Sequence, residues 1–91
     1  MEFDWDSSKA ASNLVNHRVS FEEAATVFGD PLSETYDDPD HSIAERRFII
    51  IGTSEQRRLL FVSHTDDGQM IRIISAREPT RGERKYYEEN Q

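Results

Sequence analysis

The chain has 91 residues, a formal net charge of −7, 35% hydrophobic and 32% charged residues, and no cysteine. This length predicts one small domain over residues 1–91, because chains add a second core only well above about 100 residues. Without cysteine there is neither a disulfide framework nor a thiolate metal site, which excludes a zinc ribbon and favours the reducing cytoplasm. The longest apolar run, residues 48–51, is far shorter than the ~20 residues that span a bilayer, and no signal segment opens the chain, so we expect no membrane association.

The two halves of the sequence differ in charge. Residues 1–45 hold two basic and eleven acidic residues, whereas residues 46–85 hold nine basic and five acidic ones. Nine of the eleven basic residues are arginine, whose planar guanidinium binds phosphate or carboxylate through two parallel hydrogen bonds. Because a polyanion responds to a local patch rather than to the net charge, the second half is a candidate anion-binding region. The alternative is that scattered arginines only keep the protein soluble.

A first helix is predicted over residues 7–17. Asp6 is a suitable N-cap, and the helix carries an apolar stripe at helical spacing. The stripe consists of Ala10, Ala11, Leu14 and Val15. Phe3 and Trp5 are predicted to pack beside this helix from a short opening strand.

The second helix has the clearest local signal. Ser20 and Glu23 form a capping box, in which each side chain satisfies a free backbone N–H of the other residue, so the helix should begin at Phe21. Gly29 is predicted to end it in the left-handed conformation. Its predicted apolar face consists of Phe21, Ala24, Ala25 and Phe28.

The remaining elements are a sheet and a last helix. An edge strand near residues 32–36 precedes an acidic turn over 37–40, and three β-rich segments then predict an antiparallel meander. These segments are residues 46–52, 57–65 and 69–77. A capping box from Thr80 to Glu83 starts the last helix, anchored by Tyr86 and Tyr87. The predicted fold class is therefore α+β, with two N-terminal helices, an antiparallel meander of three to four strands and a C-terminal helix.

The three histidines are candidates for acid–base chemistry near neutral pH. His17 closes the first helix, where capping or packing is the favoured interpretation. His41 follows the acidic turn, but the spacing does not match a calcium loop, so we predict no metal site. His64 lies near the end of a strand, at the rim of the sheet, where a functional and a structural role are equally compatible with the pattern.

Arg72 and Arg77 interrupt an apolar strand. An isolated buried guanidinium is costly, so each must reach solvent, pair with a carboxylate or face a ligand. A two-residue turn at Asp67-Gly68 would put His64 and Arg77 on one face of the sheet, whereas a longer loop would put His64 beside Arg72. Either face could bind a phosphodiester and move a proton. The alternative is an internal ion-pair network with Glu23, Glu45 or Glu83.

The sequence contains no Walker A loop, dinucleotide fingerprint or nucleophile elbow, and it has four glycines in all. These motifs cradle phosphates or expose a nucleophile on glycine-rich turns. We therefore expect no nucleotide cofactor.

The ordered motifs resemble those of the BrnT family of bacterial toxins. In the first half they are residues 3–6, Lys9-Ala10, Asn13, His17, residues 19–24, Phe28 and Asp30-Pro31. In the second half they are residues 38–42, 45–48, 51–52, 62–65, 71–77, 83–84 and 87–88. The resemblance covers nearly the whole chain, in order and without large gaps.

This resemblance implies a RelE-like fold and a metal-independent ribonuclease that cleaves RNA and arrests translation. The implied partner is a BrnA-like ribbon-helix-helix antitoxin, which blocks the toxin and is the only contact with operator DNA. By matching position, the candidate catalytic residues are His64, Arg72 and Arg77, with Glu45 and Arg46 as weaker candidates, and the identity of the base is left open. The alternative is a catalytically weak or inactive module that acts as a co-repressor in an antitoxin–DNA complex.

The sequence departs from the family pattern at the end of the first helix. Where the family usually shows Lys-His-Gly, this chain has Asn16-His17-Arg18. Glycine adopts positive φ at no cost, whereas arginine would carry a strain of about 1 kcal/mol. We therefore expect this helix to end differently. We also expect weakened activity if the missing lysine contacts RNA and Arg18 does not replace its charge.

Overall fold

The computed structural model describes residues 1–41 and 45–91. Its elements in chain order are β1 (Glu2–Asp4), α1 (Ser7–His17), α2 (Phe21–Thr26), β2 (Glu34–Asp37), β3 (Phe48–Thr53), β4 (Leu59–Asp66), β5 (Met70–Arg77) and α3 (Arg81–Glu89). Short 3₁₀-helices occupy Val27–Gly29 and Pro39–His41. Within the described ranges, no helix combines the length and the apolar character needed to cross a membrane.

The strands form one five-stranded sheet in the order β1-β5-β4-β3-β2. Strands β2 to β5 pair antiparallel with their neighbours, as predicted, but β1 pairs parallel with β5. The α+β class is therefore confirmed, whereas an antiparallel meander of three to four strands is wrong. The sheet is mixed, and a strand precedes the two N-terminal helices.

Helices cover both faces of the sheet. The main core lies on the side of α1 and α2. Its buried residues are Val19, Phe21, Ala24, Val27, Ile50, Leu60, Val62, Ile73 and Ala76. On the other side, Tyr87 of α3 forms a smaller core with Ile51 and Leu59. Burial on both faces explains why β3 contains a continuous apolar run instead of an alternating pattern.

Ala10 of the apolar stripe predicted for α1 packs against the main core, whereas the rest of the stripe faces solvent. Leu14 and Val15 are 52% and 80% exposed, and the buried residue of this helix is Asn13. The Asn13 amide donates to the carbonyls of Val19 and Ala76 at 2.9 and 2.8 Å and accepts from the Ala76 N–H at 3.1 Å. Since one side chain satisfies three backbone groups, it joins α1, the α1–α2 connection and β5.

Both ends of α1 are capped. The Asp6 carboxylate accepts hydrogen bonds from two N–H groups of the first turn, as predicted. At the other end, Arg18 is left-handed, with φ 58° and ψ 32°, and its N–H donates to the Leu14 carbonyl at 3.0 Å. The expectation that this end closes differently is therefore wrong: the left-handed closure is kept, and an arginine bears its strain.

The capping boxes differ in completeness. The box from Thr80 to Glu83 is complete. Ser20 accepts from the Glu23 N–H at 3.0 Å, but the Glu23 carboxylate binds Ser54 and Arg58 instead of returning the bond. Gly29 is not the predicted left-handed residue, because the described glycine with positive φ is Gly68.

A bulge determines the register of β4 against β5. Arg77 pairs with Phe61, but the register shifts between Ser63 and His64, so that His64 pairs with Ile73. Because successive residues of a strand alternate between faces, His64 lies on the side of α1 and α2, whereas Arg72 and Arg77 lie on the side of α3. Neither predicted register is correct, and the expected shared face of His64 with these arginines is wrong.

Candidate active site at one end of the sheet

We call the end of the sheet where β4 turns into β5 the cleft end. A cleft of about 380 Å³ lies there, between this turn, β1 and the segment before β3. It is lined by Asp4, Glu45, Arg46, Thr65, Asp66, Asp67, Met70 and Arg72. The structure thus brings together three of the predicted functional residues, Glu45, Arg46 and Arg72.

The β4–β5 turn forms one wall of the cleft. The Asp67 carboxylate accepts from the N–H groups of Gln69 and Met70 at 2.9 and 2.7 Å, and Asp66 accepts from the Gly68 N–H at 2.8 Å. Gly68 has φ 91°, a conformation that glycine adopts without strain. The Met70 and Gln69 hydrogen bonds lower the pKa of Asp67. Both carboxylates therefore help to build the turn.

Both guanidiniums of the cleft contact carboxylates. Arg72 Nη1 donates to Asp4 at 2.5 Å, and Arg46 donates through Nε and Nη2 to Asp37 at 3.1 and 2.9 Å. The four side chains are between 45% and 69% exposed. Ion pairs this exposed contribute at most about 1 kcal/mol. A phosphate group can therefore replace the carboxylate on either arginine at small cost.

His64 lies at the same end of the sheet but on the opposite face. It is 2% exposed, and its ring packs against Phe28 and Phe48, with centroid separations of 4.8 and 5.9 Å. Burial lowers the pKa of His64 below its ordinary value of 6.5, so the neutral imidazole is stable at neutral pH. It lines a second cavity, of about 300 Å³, which shares Asp66 with the cleft. The imidazole is thus behind the cleft and not inside it.

Arg77 lies at the other end of β5. Its Nη1 and Nη2 donate to the two oxygens of Glu83 at 2.7 and 3.0 Å, and its guanidinium lies 4.1 Å from the centre of the Phe61 ring. The bond from Arg77 lowers the pKa of Glu83. The alternative of an internal ion pair is therefore what the structure shows. Arg77 is five positions along the strand from Arg72, a distance of roughly 16 Å.

Sequence reasoning missed the acidic members of the cleft, Asp4, Asp66 and Asp67. The Asp67-Gly68 turn was the available signal for two of them, whereas the position of Asp4 depends on the parallel pairing of β1. His17 is exposed at the end of α1. The His41 side chain and Ser42 lie outside the described part of the molecule. Among the described residues, no group of three or more His, Asp or Glu side chains is arranged to hold a metal ion.

The fold and this cleft define a small α+β protein that places guanidiniums beside carboxylates, which are groups able to bind a phosphodiester and transfer a proton. A family model described as the ribonuclease toxin BrnT of type II toxin-antitoxin systems matches residues 5–83. The chain therefore belongs to the BrnT family, and the resemblance seen in its motifs is confirmed.

A solved structure supports the same assignment of fold. The crystal structure of the Brucella abortus ribonuclease toxin BrnT is similar, with a TM-score of 0.67 and 19% sequence identity, over 89% of this chain and 99% of that one. No curated protein matches the sequence.

Proposed function

We propose that this protein cleaves RNA in the cleft without a metal ion. The RNA 2′-hydroxyl attacks the adjacent phosphorus, the bond to the 5′-oxygen breaks, and the hydroxyl proton passes to a base while an acid protonates the leaving oxygen. An enzyme then needs a base, an acid and cations that stabilise the extra negative charge. The observation that carries the proposal is the presence of Glu45, Arg46 and Arg72 in one cleft.

The three residues receive two roles, and water supplies the third. Arg72 and Arg46 bind the phosphate oxygens by exchanging their exposed carboxylate partners, Glu45 accepts the hydroxyl proton, and a water molecule protonates the leaving 5′-oxygen. His64 is buried and faces the other side of the sheet, so we propose that it supports the strand end through its packing against Phe48 instead of touching RNA. Arg77 receives no role in the cleft, because Glu83 occupies both arms of its guanidinium.

The experiment is cleavage of single-stranded RNA by the purified protein in EDTA. We expect the parent protein to cleave, and Glu45→Gln to be slower by about 100-fold, the usual loss when a general base is removed. Glu55→Gln is the matched control, because Glu55 is an exposed carboxylate at the other end of the sheet. Cleavage that EDTA abolishes and a divalent ion restores would contradict metal independence. A Glu45→Gln cleavage rate within a few-fold of the parent would exclude Glu45 as the general base.

We also propose a BrnA-like ribbon-helix-helix antitoxin as the partner, with operator DNA contacted only through it and with the cytoplasm as the compartment. The acidic residues 1–45 favour docking of a basic segment. Association should then slow as salt rises, because the screening length falls to roughly 8 Å at physiological ionic strength. A rate independent of salt would contradict docking on this acidic region.

Growth arrest on expression separates the toxin from the inactive co-repressor. A catalytic toxin arrests growth when it is expressed alone, whereas an inactive module does not. The RelE-like relationship implied by the motifs stays a prediction.

A further inference from the structure

We call the opposite end of the sheet, where β3 turns into β4 and α1 ends, the arginine end. Among the described residues other than glycine, positive φ occurs at Arg18 (58°) and Arg57 (67°), and both lie at this end. Left-handed backbone is disfavoured for residues with a Cβ and is typical of glycine or asparagine. Strained backbone persists where the surrounding structure holds it in place, and it is concentrated at functional sites. Two arginines in such positions therefore indicate a function for their guanidiniums.

Arg58 holds these two positions together. Its Nη2 donates to the Arg18 carbonyl at 2.7 Å, and its Nη2 and Nε donate to Glu23 at 2.6 and 2.8 Å. Glu23 is 3% exposed and also accepts from Ser54 Oγ at 2.7 Å. The Arg58 side chain is thus neutralised and fixed, and it ties the end of α1 to the turn that carries Arg57.

The guanidiniums of Arg18 and Arg57 remain available to a ligand. Both residues are exposed, and within the described part of the chain neither guanidinium makes an ion pair or a hydrogen bond. The acids nearby are Glu55, exposed in the same turn, and Glu78, which acts electrostatically on Arg58. The arginine end therefore presents to solvent two guanidinium groups that have no carboxylate partner among the described residues.

We propose that Arg18 and Arg57 form a clamp for the phosphate backbone of single-stranded RNA, separate from the cleft. Arg57 adjoins Arg58, whose side chain contacts the backbone of Arg18. The guanidiniums of Arg18 and Arg57 are therefore both within reach of phosphates on one RNA strand. The ligand class rests on the proposed function. The cleft itself is lined by four carboxylates and two guanidiniums, which is a poor charge balance for a polyanion, so affinity must come from elsewhere. The eight residues of β4 place the clamp roughly 24 Å from the cleft, about seven stacked nucleotides at ~3.4 Å each.

The test is binding of a 12-nucleotide 2′-O-methyl RNA, which lacks the attacking hydroxyl, measured over a range of salt concentrations. The variants are Arg18→Gly, Arg57→Gly and their combination. Each lost phosphate contact should lower the slope of log affinity against log salt by about 0.7, and the double variant should lower it by about 1.4. Arg84→Ala is the matched control, because Arg84 lies on α3 and has only a 3.9 Å contact with Glu88, so its slope should equal that of the parent.

The same variants exclude unfolding as the cause. Glycine relieves the strained backbone, so the melting temperature should rise while RNA binding weakens. The clamp would be overturned if the glycine variants kept the salt slope of the parent, or if Arg84→Ala lowered the slope as much as they do. A melting temperature below that of the parent would overturn the strain argument behind the clamp. Cleavage of ordinary RNA by the parent protein separates the two proposals. If the parent cleaves RNA but the salt slopes of the glycine variants are unchanged, the proposed function stands and the clamp is wrong. If the slopes fall but the parent does not cleave RNA, the clamp stands and the proposed function is wrong.

Discussion

The cleft end and the arginine end hold the same kinds of side chain in different states. At the cleft end, the pairs of Arg46 and Arg72 with their carboxylates are exposed. At the arginine end, the Glu23 side chain is 2% exposed in its pair with Arg58. An exposed pair exchanges partners easily, whereas removing one member of a buried pair leaves a desolvated charge. The contrast assigns ligand exchange to the cleft end and rigid support to the Glu23–Arg58 pair.

The largest effect expected from this contrast is on catalysis. Arg72→Ala should slow RNA cleavage by about 10²- to 10³-fold, because it removes a cation that stabilises the charge developing on the phosphate. Its melting temperature should stay close to that of the parent, since the lost pair with Asp4 is exposed. Cleavage assays and thermal unfolding on one preparation give both quantities. A rate within a few-fold of the parent would exclude Arg72 from the site.

The second prediction compares one ion pair from each end. Arg58→Gln should lower the free energy of unfolding by about 3 kcal/mol, because it leaves the Glu23 carboxylate, whose side chain is 2% exposed, without its charged partner. Asp37→Asn, which breaks the exposed pair with Arg46, should cost less than about 1 kcal/mol. Urea unfolding measures both values. Equal costs would show that burial does not distinguish the two ends.

The third prediction concerns Arg77. Arg77→Lys keeps the charge but loses the two-armed bond to Glu83 and the stacking over Phe61, so it should lower stability by roughly 1–2 kcal/mol. Cleavage should stay within a few-fold of the parent, because Arg77 lies outside the cleft. Unchanged melting together with abolished cleavage would return Arg77 to the active site.

The smallest effect is a dependence of stability on pH. Because burial lowers the pKa of His64, the unfolded chain binds this proton more readily than the folded protein. The contribution of His64 is therefore full above pH 6.5 and is lost as pH falls from 6.5 through the folded pKa, at about 1.4 kcal/mol per pKa unit. His64→Gln should flatten the stability profile between pH 7 and about 5.

Two carboxylates provide an internal comparison for that profile. The pKa values of Glu23 and Glu83 are lowered, chiefly by their arginine partners. Their contributions are full above the ordinary glutamate value of 4.5 and are lost as pH falls through the folded pKa values. A decline that remains above pH 5 in His64→Gln would assign it to another group.

The sequence predicted the elements whose signals are local. The caps at Asp6 and Thr80 depend on residues two or three positions apart, and the antiparallel strands follow from composition and turn chemistry. It did not predict the burial of Asn13, because two of the three hydrogen bonds of its amide are with Ala76 on β5, 63 residues away. Local pattern instead favoured burial of Leu14, which is half exposed.

Only the part of the candidate site that depends on local sequence signals was predicted. Glu45 and Arg46 are neighbours in sequence, and Arg72 joins them through strand pairing that the meander implies. The faces of His64 and Arg77 relative to each other could not be predicted, because a bulge in β5 at Ile74, opposite Ser63 and His64, reverses the faces of the β5 residues that follow it. The partner of Arg77 was among the alternatives, since Glu83 begins the helix that follows.

The parallel pairing of β1 with β5 has a consequence for the order of folding. Asp4 and Arg72, which meet across this pairing, are 68 residues apart in sequence. Contacts between such distant residues form late and slowly, because the intervening chain must first be ordered. The helices and the antiparallel hairpins can therefore form before this edge strand docks. Since Asp4 lines the cleft, we expect the cleft to be completed late in folding, and a chain still being synthesised lacks a finished site until residue 72 has been added.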